Sequence, residues 1–179
     1  MPFNLSKELD STSVAVESPC QPIPAAETSR RRTDMILARW EDCCGSRMLP
    51  AWADHVKVAG GALEDYCVAG HFGYARSEVV TTRIGSHFLD QLNNSPEVSG
   101  HTTYPAAVVM GVILTQSEQL FHDPYPLVRD GEFLNMHYVR IRYRTIVLPF
   151  GEGRSAADHW LALGSWAVTG EKADFVRAA

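Results

Sequence analysis

The chain is short of cysteine, has no long apolar run and carries no excess of positive charge, and each lack narrows what it can be. Its four cysteines, Cys20, Cys43, Cys44 and Cys67, follow no CxxC or zinc-knuckle spacing. Adjacent Cys43 and Cys44 are poorly placed to bridge each other, so a reducing compartment is the simpler reading. No stretch approaches the roughly 20 apolar residues of a membrane helix, and MPFNLSKELDSTSVAVE lacks the apolar core of a secretory signal. A soluble, cytoplasmic protein with no membrane partner is therefore expected. The net charge of -5 and pI near 5.8 argue against a nucleic-acid partner, which calls for a basic face.

Catalytic spacings are missing too. The seven histidines form no HxH or HExxH pair, so no metal site is expected. Ser86, Ser155 and Ser165 lie in no GxSxG elbow, and Cys43 and Cys44 have no evident partner histidine. The glycines of GEGRSA lie between strands instead of opening a helix, which is where a phosphate would bind. Asp123, Asp130 and Glu132 are close enough in sequence for a carboxylate pair, but loop acids are usually just solvated. The chain is not read as an enzyme, and the sequence names no cofactor.

What is present is architecture. In NMHYVRIRYRTIVLPF, Asn135 to Phe150, Val139, Ile141, Tyr143 and Thr145 alternate with Arg140, Arg142 and Arg144. Period-2 alternation predicts a strand with one buried face and one wet face carrying an arginine ladder. A second apolar run, His159 to Val168, follows after GEGRSAAD, and the two should be antiparallel neighbours. Three guanidinium groups two residues apart repel one another unless acids or an anionic partner lie opposite. The ladder is thus either a docking surface or is paired with acids on neighbouring strands.

With 179 residues and 45% hydrophobic composition, the chain suits one cored domain plus an appendage. Residues 1–29 are rich in Ser, Thr, Pro and Glu and read as a disordered tail; 30–170 form the domain, and 171–179 a C-terminal tail. Thr33 is a plausible N-cap for a helix ending at Gly45, with Ile36, Trp40 and Cys43 on one stripe. That stripe packs on its own domain or pairs with a second copy in a homodimer. Pro50 could open a short helix carrying Trp52 and Val56 and broken at Gly60-Gly61. Cys67 to Phe72 and Tyr74 to Thr82 then suggest a hairpin, and Arg83 to Leu92 a helical turn.

Thr102 or Thr103 can cap a longer helix, with Pro105 in its first turn, to about Leu120. Phe121 to Arg129 holds two prolines, so any strand there is an edge or interrupted one, and Asp130-Gly131 reads as a turn. The order is helix, two strands, short helices, a longer helix and three strands. It predicts an α+β fold, an antiparallel sheet with helices on one face and an N-terminal helix.

That order, with YARSEVVTTRIGSHF, MHYVRIRYRTIVLPFGEGRSAADHWLALGSW and RMLPAWADH, resembles a stand-alone bacterial PAS-like domain over about Thr33 to Val168. Thr81 departs from the pattern, standing where a glycine would be, and the Asp-Pro after the first helix is missing. The resemblance implies a sensory or regulatory module that holds a small molecule between sheet and helices, or contacts a histidine kinase or its own copy. If Arg140, Arg142 and Arg144 face outward, Val139, Ile141 and Tyr143 face inward opposite Met110 and Leu114 of the long helix. Together with Trp166 these are the expected ligand-binding residues; the plainer alternative is that they simply fill a core. Arg140, Arg142, Arg144, Ile36 and Trp40 are the expected partner-binding residues. The alternatives are a small α+β enzyme using His137 or Asp123 as acid or base, and a dimerisation unit built on the first helix.

Overall fold

The structure, a computed structural model, describes residues 25–73, 78–93, 105–135, 138–152 and 156–172. Helix α1 spans Ala25–Cys44 and stops at Gly45, whose φ of 55° is the left-handed geometry that suits glycine at a helix end. A 3-10 turn Trp52–Asp54 runs into the short helix α2, His55–Ala59, and a second 3-10 segment, Gly61–Tyr66, follows. Strands β1 (Cys67–Phe72) and β2 (Val79–Ile84) precede helices α3 (Ser86–Asn93) and α4 (Pro105–His122). Strands β3 (Leu127–Leu134), β4 (Val139–Phe150) and β5 (His159–Lys172) complete the order.

The five strands make one antiparallel sheet in the order β2-β1-β5-β4-β3, so this is an α+β fold. The last strand, β5, lies at the centre because it pairs with β4 on one side and with β1 on the other. Alternation along β5 then splits the core in two. Leu161 and Leu163 join Ile146, Leu148, Phe150, Cys67 and Ala69 on one face, under Ile36 and Trp40 of α1. Trp160 and Ala162 join Val68 and Val147 on the other, against Phe88 of α3 and Val109 and Ile113 of α4. Helices α3 and α4 therefore cover one face, and the N-terminal helix packs on the opposite one.

Two local expectations are corrected. Thr33 does not cap α1: the helix begins at Ala25, and Thr33 lies inside it, 1% exposed, with its hydroxyl donating to the Arg30 carbonyl at 2.8 Å. The Arg30–Arg32 run, good helix formers, carries the helix past the polar Thr that sequence reads as its start. Residues 25–29 are accordingly helical, while the rest of the expected tail, 1–24, lies outside the described residues. Asp130-Gly131 is not a turn either, but the middle of β3. Its partners explain why: Asp130 pairs across the strand with Arg144, and the Tyr143 ring lies against Gly131 where any side chain would collide with it. Cross-strand contacts override the local turn preference. Strand β3 is the sheet edge, as its upstream prolines suggest.

Candidate functional site

The arginine ladder sits where three strands are in register. Asp130, Arg144 and Ser165 form one cross-strand row, and Glu132, Arg142 and Ala167 form another. By alternation these side chains share the sheet face of Ile146 and Leu148, which α1 covers only further along the strands. Acids stand opposite the cations. Arg144 Nη1 donates to both carboxylate oxygens of Asp130, at 3.0 and 3.2 Å, and Nη2 lies 3.9 Å from Asp34 of α1. Glu132 takes Arg140 at 3.5 Å and Arg142 at 3.7 Å. Arg142 is 60% exposed and Arg144 22%, so this is a solvent-facing network in which each pair contributes at most about 1 kcal/mol.

Next to the network is a cleft of about 530 Å³. Arg30 of α1, Asp130 and Glu132 of β3, Arg142 and Arg144 of β4, and Ser165, Ala167 and Thr169 of β5 line it, with Gly131, Tyr143 and Trp166 in the row between. Ser165, Ala167 and Thr169 are small, which leaves the floor low where Leu161 and Leu163 fill the same strand face under α1. Thr169 donates its hydroxyl to the Arg140 carbonyl at 3.1 Å. Arg144 Nε is buried and has no acceptor among the described residues.

The other expected site residues are dispersed. Met110, Leu114, Tyr143 and Trp166 gather, half-buried, around the α3 and α4 core, whereas Ile141 is 1% exposed and Val139 half-buried near the start of β4. Only Tyr143 and Trp166 of this group also border the cleft. Ile36 and Trp40 are turned into the domain itself, at 0% and 7% exposure, and Trp40 Nε1 donates to the Pro149 carbonyl at 2.8 Å. They are core residues, which is the own-domain alternative for that stripe. Asp123 is exposed beyond the end of α4, and His137 lies outside the described residues.

Sequence reasoning missed two features. Arg30 is one, because a wall formed by α1 over the sheet leaves no periodic signal. The other is an aromatic stack, Trp52 between His55 at 4.1 Å and His159 at 4.7 Å, which brings the start of β5 against the turn that opens α2. His159 Nδ1 lies 2.8 Å from Asp158 Oδ1.

No known family model matches the chain, and no curated protein does. No helix among the described residues is long and apolar enough to cross a membrane. Nor, among them, do three His, Cys, Asp or Glu side chains stand together as a metal site would require. Burial pushes the Cys67 thiol up to about 12, which removes it as a nucleophile near neutral pH. His87, wedged between Tyr66 at 4.4 Å and Trp166 at 5.2 Å, is held below its ordinary value by burial first and by the Arg32 guanidinium second. What the cleft offers is charge and hydrogen-bond donors, the equipment of binding.

Proposed function

We propose that the chain is a PAS-like sensory or regulatory module of bacterial signal transduction that works in the cytoplasm through protein contact. The observation that carries this reading is the exposed strip of β3 and β4 in which Arg140, Arg142 and Glu132 stay accessible beyond the cover of α1. An ordered row of alternating charge on a rigid sheet is suited to steering and registering a complementary protein surface. The order of helices and strands on which the PAS resemblance rests supports the same reading. Its partners are a signalling protein such as a histidine kinase and a second copy of the chain. A small apolar ligand between the sheet and α4 belongs to it as well, with Met110, Leu114, Tyr143 and Trp166 as contacts.

Cross-linked pull-down from the host tests the contact. The native chain should capture a signalling protein that an Arg140→Glu/Arg142→Glu variant loses; unchanged capture counts against the reading. Native mass spectrometry of host-purified protein tests the rest, since a retained small molecule and a dimer mass are both expected.

A further inference from the structure

We propose that the cleft over β3, β4 and β5 binds a small organic anion through one carboxylate, separately from any apolar ligand held beneath the helices on the opposite face. Arg30, Arg142 and Arg144 line it with Asp130 and Glu132, and counting the ion-pair partners Arg140 and Asp34 as well, four arginines stand against three acids, which leaves one excess positive charge. A monocarboxylate neutralises that excess.

Donor capacity points the same way. The acid nearest to Arg142 is 3.7 Å away and that nearest to Arg30 is 3.9 Å away, both beyond hydrogen-bond length. Neither guanidinium is hydrogen-bonded among the described residues, and each presents a fork of N–H groups that fits a carboxylate in two bonds. Arg144 adds a buried Nε with no acceptor, and a buried donor left unpaired is costly until an acceptor arrives. The third acidic neighbour, Asp34, only approaches from α1, 3.9 Å from both Arg30 and Arg144.

Size sets the class of ligand. A volume of about 530 Å³ suits a molecule of metabolite or drug size, not a folded partner. The floor of Ser165, Ala167 and Thr169 admits a flat body lying along β5, where larger side chains would fill the space. Because Arg30 belongs to α1 and the floor to the sheet, an occupant would tie the first turns of α1 to β4.

Saturation-transfer NMR on the full chain tests the proposal with benzoate as probe and benzamide, its uncharged counterpart, as control. Benzoate should bind at least about tenfold more tightly than benzamide, and Arg142→Gln and Arg30→Gln should each weaken benzoate by about tenfold. Both arginines are well exposed, so melting temperatures close to the native one should confirm that the variants fold. Equal binding of benzoate and benzamide, absence of benzoate binding, or benzoate binding unchanged in both variants would overturn it. None of these outcomes bears on partner capture, so the site and the signalling role stand or fall apart.

Discussion

Trp160 lies across Gly70 where β5 pairs with β1, its indole so close to the strand that a β-carbon on Gly70 would stand 2.6 Å from Cζ2 and would also run into the Val80 carbonyl oxygen. The indole is fully buried, so it cannot swing into solvent to make room. The missing side chain at Gly70 is what lets the largest ring of the core rest on backbone. The β1 and β2 register also shifts between Ala69 and Gly70, which places the same residue at the irregularity of the hairpin. Gly70→Ala should therefore cost about 3 kcal/mol, at the upper end of overpacking penalties. Urea unfolding measures it, and a loss below about 0.5 kcal/mol would show that the strand yields more easily than this contact implies.

Cys67 sits at the other end of β1, 5% exposed, with its thiol raised to about 12 by burial. At pH 8 its thiolate fraction is about one in ten thousand. Iodoacetamide applied to the folded protein should modify the half-buried Cys43 and Cys44 well before Cys67, as peptide mass mapping would read. Labelling of Cys67 at the rate of the other two would mean that β1 opens locally.

His87 gives the fold a pH dependence of definite sign. Its folded value lies below the ordinary value of about 6.5, because burial against Tyr66 and Trp166 and the facing Arg32 disfavour the charged ring more than Asp65 and Asp90 favour it. In the window between the two values the unfolded chain binds more protons, so stability rises with pH there. The stabilisation is fully present above the unfolded value and is lost as pH falls through the folded one. The difference in melting temperature between the native chain and His87→Gln should thus change between about pH 7.5 and pH 5, with the native chain losing more on acidification. Parallel melting curves across that range would show that His87 takes up its proton alike in the folded and unfolded states, against the lowered folded value.

Much of the architecture was legible in the sequence because it is written in periodicity. The alternation around Arg140, Arg142 and Arg144 marks β4, and the run from His159 marks β5, with β5 extending to Lys172. The helix from Pro105 begins where its proline suggests. What periodicity cannot show is which distant segment covers a face. Hence the Ile36 and Trp40 stripe could be read as packing on its own domain or on a second copy, although α1 buries it in one core with Leu148 and Leu163, and Arg30 gave no sign of facing the ladder. Asp130-Gly131 misled for the opposite reason, since its turn chemistry is real but weaker than the Arg144 and Tyr143 contacts across the strand.

The interior also contains a polar joint that no pattern announces. Thr145 of β4 is fully buried and donates its hydroxyl to Gln116 Oε1 of α4 at 2.6 Å, while Gln116 Nε2 donates to the Leu127 carbonyl at 3.4 Å. One glutamine thus ties the long helix to both β4 and the start of β3. Replacing Thr145 with Val removes the donor but leaves the Gln116 oxygen buried, which should cost about 1–3 kcal/mol. The double variant Thr145→Val/Gln116→Leu removes the stranded oxygen as well, and should be less destabilised than the sum of the two single changes. Urea unfolding of the four proteins gives the coupling directly. Additive losses would mean that the hydroxyl finds another acceptor, for which the Arg129 carbonyl at 3.5 Å is the nearest candidate, and that helix α4 is held by its apolar face alone.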